Sequence, residues 1–184
     1  MHDTDSLRRA CQHDPIIRQY FADVYGADEV PCRSSLYPRC AIANTDPIDL
    51  PGQHWVGLFW TAPGQGEFFD SYAITPKMYD VRWQCFNNFE QAPYPIQQWT
   101  TDVCGDHTLY YLYHRCRGTP LSTVVQYFSP TDFLYNDTAV VRRMHDLFPS
   151  LWSEKHRGGQ LFDARGRSQI CIQRQRHRCY EMSR

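Results

Sequence analysis

The chain has no run of about 18 apolar residues, so no membrane-spanning helix is expected. Its opening stretch, MHDTDSLRRACQHD, has no apolar core of the kind a signal peptide carries. That predicts an intracellular setting, or packaging inside a particle. No CxxC pair occurs among the eight cysteines (Cys11, Cys32, Cys40, Cys85, Cys104, Cys116, Cys171 and Cys179). Without a secretory context, these are expected to be free thiols rather than four disulfides. The nearest approach to a metal cluster is Cys171, His177 and Cys179. Free thiols are the plainer reading there, and no metal is expected. There are no internal repeats. Net charge is also small, at −1, but it is unevenly spread. From Glu154 onward, eight Lys/Arg stand against three Asp/Glu. A basic tail on an acidic body suits contact with nucleic acid or an acidic partner, and equally a solvated terminus.

What is present is a globular complement. A length of 184 residues allows one domain with a substantial core, and 12 Tyr, 10 Phe and 5 Trp supply large side chains for it. Asp5 to Tyr25 looks helical, broken at Asp14-Pro15. Ile16, Ile17, Tyr20, Phe21 and Val24 recur at helical spacing in its second half. Cys40 to Asn44 reads as a strand. A turn-rich connection follows, then the strand HWVGLFW from His54 to Trp60. Pro63 to Gly66 makes a hairpin loop into the strand EFFD, ending at Asp70. Thr75-Pro76 opens a helix expected to reach Phe89, and Tyr94 to Trp99 suits a further strand. Helices are expected from Cys104 to Gly118, from Leu121 to Phe128, and up to Leu147 with Asn136 or Asp137 as cap.

Cys104 is the residue on which chemistry can be hung. A thiol at a helix start gains thiolate character from the macrodipole and from unpaired amides. Such a nucleophile needs a base, an orienter for that base and an oxyanion donor. His54, at a strand end, is the candidate base. Asp70 ends the partner strand of the predicted hairpin, so it should meet His54 at one sheet edge and accept its Nδ1–H. His107 and His114 lie on the Cys104 helix itself and are poorer choices. Gln97 and Gln98 precede Cys104 by seven and six residues, and an amide of either can join the Cys104 N–H in binding an oxyanion.

His-Trp on a strand, an acid ending the next strand, a Gln six or seven residues before Cys, and Cys-Gly opening a helix form a pattern. It resembles that of the adenovirus-type cysteine endopeptidases (adenain) and, more loosely, that of the SUMO-specific proteases. The segments CAIANTDPIDLPGQHWVGLFW and FFDSYA carry the resemblance most strongly, within a span from about Ile16 to Pro149. It implies an α+β fold, a mixed β-sheet flanked by helices, with His-Asp-Gln-Cys order and a groove between the Cys helix and the sheet. It implies a single cysteine-protease domain over 1–149, followed by the basic tail, 150–184. His54, Asp70 and Cys104 would be catalytic and Trp55 would border the substrate groove. The adenovirus enzymes match Gln97 by spacing and the SUMO-specific group matches Gln98. Gln98 is slightly preferred, and the choice stays open.

The implied activity is a thiol endopeptidase that cleaves viral precursor proteins during particle maturation, after small residues such as Gly. Its setting would be the virion and the host nucleus, and it would act as a monomer. No cofactor is needed for the chemistry, although an activating peptide and DNA belong to the resemblance, with DNA reached through the basic tail. Cys85 lies near the place where some relatives link to that peptide. Asp at position 70 departs from the Glu common in mammalian adenovirus enzymes, and the chain is shorter than theirs. Alternative readings are a deconjugating protease for a ubiquitin-like modifier and an inactive nucleic-acid-binding module.

Overall fold

A computed structural model describes residues 2–79 and 81–149 of the chain. The basic tail, its DNA contact and the Cys171, His177, Cys179 group lie outside the described residues. The fold is α+β. Five strands form one mixed sheet in the order β1-β2-β3-β4-β5: β1 (Phe21–Tyr25), β2 (Arg39–Asn44), β3 (Trp55–Ala62), β4 (Gln65–Phe69) and β5 (Glu90–Gln91). β3 is antiparallel to both of its neighbours, β2 and β4, and each edge strand is parallel to its neighbour. The α-helices are α1 (Thr4–His13), α2 (Ile17–Tyr20), α3 (Cys104–Arg115), α4 (Leu121–Gln126) and α5 (Phe133–Leu147). No helix among the described residues is long and apolar enough to cross a membrane.

The sheet divides the core in two. One face packs against α1, α3, α4 and α5 through residues such as Leu7, Ile42, Leu109, Leu112, Val124 and Met144. The other face is covered by aromatic side chains, chiefly Trp60, Phe68, Trp83 and Phe86. Burying each such ring removes on the order of 150–250 Å² from water. Helix α3 lies directly on β3 because Gly57 leaves room for it. A Cβ at Gly57 would come within 2.9 Å of the Tyr111 ring. Thr108 then donates its hydroxyl to the Trp55 carbonyl at 3.1 Å, fixing the first half of α3 to the start of β3.

Several local expectations are corrected. The predicted second helix up to Tyr25 is one turn, Ile17–Tyr20, after which the chain becomes strand β1. A register shift between Phe21 and Val24 turns both residues inward, so a bulged strand imitates the spacing of a helix. The segment after Thr75-Pro76 is not one helix but two short 3₁₀ turns, Pro76–Met78 and Val81–Phe86. Trp83, Phe86 and Phe89 are all buried, and a spacing of three suits a helix with three residues per turn. No strand forms over Tyr94–Trp99; the fifth strand is Glu90–Gln91. The cap of α5 is Asp132, whose side chain accepts from the Tyr135 amide, so Asn136 and Asp137 lie within the helix. Finally, Cys32 and Cys85 form a disulfide, with Cα atoms 5.7 Å apart. The expectation of free thiols fails for these two. Cys85 is thereby joined within its own chain.

Candidate active site

The β3–β4 hairpin carries the first two groups. His54 immediately precedes β3 and Asp70 immediately follows β4, so antiparallel pairing brings them to one end of the sheet. His54 Nε2 donates to Asp70 Oδ1 at 2.9 Å. This corrects the expectation of an Nδ1 contact, and the difference matters. It leaves Nδ1 as the nitrogen that Asp70 does not engage, and Cys104 is near enough to the His54 ring to raise its pKa.

Asp70 is 1% exposed and held on both oxygens. Oδ1 also accepts the Tyr72 amide at 2.7 Å, and Oδ2 accepts the Tyr79 hydroxyl. The turn that does this, Asp70 to Ala73, closes through an Ala73 N–H to Asp70 C=O bond of 3.0 Å. Ala73 adopts φ 54°, a left-handed conformation uncommon for a residue with a Cβ. The same turn aims Tyr72 into the groove. Its ring stacks on His54 at 4.7 Å and on Trp99 at 4.3 Å, making a three-ring wall.

Burial alone would discharge the His54 imidazolium. Hydrogen bonds to Asp70 and Cys104, and the charges of both, outweigh it and push the His54 pKa up to about 10. The Tyr72 and Tyr79 phenols are pushed up from their ordinary value by burial first, then by nearby negative charge. Both stay protonated, so Tyr79 can donate to Asp70 at neutral pH.

Cys104 is the first residue of α3 and is 2% exposed. Helix geometry gives the amides of its first turn no carbonyl four residues back, and the dipole favours negative charge there. Gly105, next in sequence, packs against His2 and Trp55. Trp55 donates its indole N–H to the His2 carbonyl at 3.1 Å, so its ring supports the start of α3 from below. Trp55 does not line the groove beside Cys104, in contrast to the expectation for it.

Gln97 and Gln98 are used differently. Gln97 is fully buried, and its Oε1 accepts the Ser71 hydroxyl at 2.6 Å, which orients the amide. Its Nε2 then donates to the Tyr72 hydroxyl at 3.0 Å and the Thr101 carbonyl at 3.1 Å. Gln98 contributes its backbone, with its N–H on Asp137 at 3.2 Å. The Gln97 side chain therefore lies behind Tyr72 and Thr101, two residues that line the groove.

These groups meet in a groove of about 660 Å³ whose walls include His54, Tyr72, Met78, Trp99, Asp102 and Cys104. Met78 and Trp99 stand at its rim, 75% and 61% exposed. Among the described residues no group of three or more His, Cys, Asp or Glu side chains is arranged to hold a metal ion. Sequence reasoning missed Tyr72, Tyr79 and Thr101. Their contacts come from a turn and a loop whose course no periodicity reports. No protein-family model matches the chain, and a search of curated proteins returns no match.

Proposed function

We propose that the chain is a thiol endopeptidase with a cysteine-protease fold, Cys104 as nucleophile, His54 as base and acid, and Asp70 as orienter. The observation that carries this reading is that Cys104 and His54, from separate elements, line one groove while buried Asp70 is hydrogen-bonded to His54. A raised His54 pKa favours a thiolate–imidazolium pair before substrate arrives. The thiolate attacks a peptide carbonyl carbon, and the carbonyl π electrons move to oxygen. The Cys104 amide and the Gln97 Nε2–H that otherwise meets Tyr72 are the donors suited to that oxyanion. His54 then gives its Nδ1 proton to the leaving amine. Neutral His54 next takes a proton from water, which opens the thioester and frees Cys104. Gln97 is assigned the oxyanion role over Gln98 because its amide is oriented by Ser71 and bonds to Tyr72 and Thr101, which line the groove.

Aromatic walls narrow the groove around the nucleophile, which favours small residues such as Gly at the cleaved bond. By resemblance, the substrates are viral precursor polypeptides, cleaved in the maturing particle. A deconjugating protease would use the same residues and is separated from this reading by substrate alone.

The test is labelling with iodoacetamide near neutral pH, paired with hydrolysis of an internally quenched peptide centred on Gly-Gly and of a ubiquitin-like fusion. Cys104 is expected to react first, and Cys104→Ala to abolish both its labelling and peptide cleavage. Cleavage of the fusion but not the peptide would move the assignment to a deconjugating protease. Cleavage retained by the Ala variant would overturn it.

A further inference from the structure

Behind the groove lies another buried His–Asp pair that the mechanism above does not use. His107, on the same helix as Cys104, is fully buried and donates from Nε2 to Asp137 Oδ1 at 2.8 Å. Its Nδ1 meets no partner, so Nε2 is the nitrogen that must carry the proton. Asp137 belongs to α5 and is 3% exposed. Its other oxygen, Oδ2, accepts the Thr101 hydroxyl at 2.6 Å and the Gln98 amide at 3.2 Å. Three donors from two elements thus satisfy one buried carboxylate, which would otherwise be costly to keep.

Those donors frame the loop that carries Gln97. The Thr101 carbonyl accepts one Gln97 Nε2–H, and the Ser71 carbonyl accepts the Gln97 main-chain N–H at 3.2 Å. On the next α5 position, Asn136 donates to the Ile96 carbonyl at 2.9 Å. Consecutive residues of α5 therefore hold the loop on both sides of Gln97, while His107 ties the same carboxylate to the nucleophile helix. The distance between an oxyanion donor and its nucleophile is the quantity that such a brace controls.

We infer that Asp137, bridging His107 and Thr101, is a positioning residue that sets the Gln97 amide against Cys104 for oxyanion binding. The inference rests on the peptidase reading and adds to it a residue that touches neither substrate nor thiol. Its signature is a split between two reactions of the same sulfur. Alkylation by iodoacetamide needs the thiolate but no oxyanion donor, whereas peptide hydrolysis needs both.

Both rates are to be measured on the full chain for wild type, Asp137→Asn, Thr101→Val and Thr101→Ser, with the internally quenched Gly-Gly peptide. The Asn variant turns an amide N–H₂ toward groups that themselves donate, and the Val variant removes the hydroxyl while keeping the shape. In Asp137→Asn and Thr101→Val, kcat is expected to fall about tenfold or more, below the 10²–10³ that loss of an oxyanion donor itself costs. KM and the alkylation rate should stay within about twofold, the pattern of an interaction made only in the transition state. Thr101→Ser, which keeps the hydroxyl, should restore kcat. An unchanged kcat in Thr101→Val, or alkylation falling in step with kcat, overturns the inference and leaves the peptidase reading standing. Should Asp137→Asn fail to fold, the Thr101 pair decides alone. Rapid alkylation of wild-type Cys104 with no peptide cleavage sinks the peptidase reading, and the inference with it.

Discussion

Three buried His–Asp pairs lie among the described residues: His2–Asp106, His54–Asp70 and His107–Asp137. The last two differ in what surrounds them rather than in themselves. His54–Asp70 and His107–Asp137 both join Nε2 to Oδ1, at 2.9 and 2.8 Å. All four residues are buried. His54 lines a groove that Cys104 also lines, whereas the other nitrogen of His107 meets no partner and no solvent. In the proposed mechanism the His54–Asp70 pair passes a proton to a reacting molecule. The His107–Asp137 pair can only hold its neighbours in place. A His–Asp contact is thus not itself a catalytic signal; access and the neighbouring nucleophile make it one.

The largest expected contrast is kinetic. His54→Gln should lower kcat for the Gly-Gly peptide by about 10²–10⁴, the usual contribution of a general acid–base group. His107→Gln should lower it far less, since its ring transfers no proton. Equal losses at the two positions would erase the distinction drawn between the pairs.

Thermodynamic cost should run in the opposite order. Asp137→Ala leaves His107 and the Gln98 amide without their acceptor in a closed interior, while the Thr101 hydroxyl keeps the Gln98 carbonyl at 2.8 Å. A loss of about 3–5 kcal/mol in urea denaturation is expected, as for other broken buried pairs. Asp70→Ala opens onto the groove, where water can reach His54, so about 1–3 kcal/mol is expected. A larger loss at Asp70 would mean that the groove end is the stiffer of the two.

A further contrast is one of pH. The folded-state pKa of His54, about 10, lies above its ordinary 6.5. The stabilisation it supplies is therefore complete below about pH 6.5 and is lost as pH rises through 10. The stability difference between wild type and His54→Gln should shrink across that window. Imidazole ¹⁵N shifts should follow the same titration. Replacing Cys104 by Ala removes one of the interactions that raise the pKa, so the titration should move downward. A titration near 6.5 in wild type would contradict the charge coupling that the contacts require.

Legibility of the chain varied with the range of the interactions involved. The β3–β4 hairpin was readable because alternation, a Pro-Gly turn and short separation are all local, and it brought His54 and Asp70 together. Helix α3, which begins at Cys104, was readable for the same reason. Segments governed by distant partners were not. Phe21 and Val24 mimic a helix because a bulge against β2 faces both inward. Asn136 and Asp137 look like caps because their residue types favour helix starts. They lie one turn inside α5, where their partners are about 40 residues earlier in the chain. Cys32 and Cys85 carry no mark of pairing across a separation of 53.

By itself the sequence determined the residue types, the hairpin and the position of Cys104 at a helix start, because each follows from neighbours within a few positions. Only the tertiary structure decided which nitrogen of His54 meets Asp70, which glutamine side chain bonds to Ser71 and Tyr72, and which carboxylate His107 meets. Those choices turn on ring orientation and loop course, and both are set by hydrogen bonds between elements that the chain order keeps far apart.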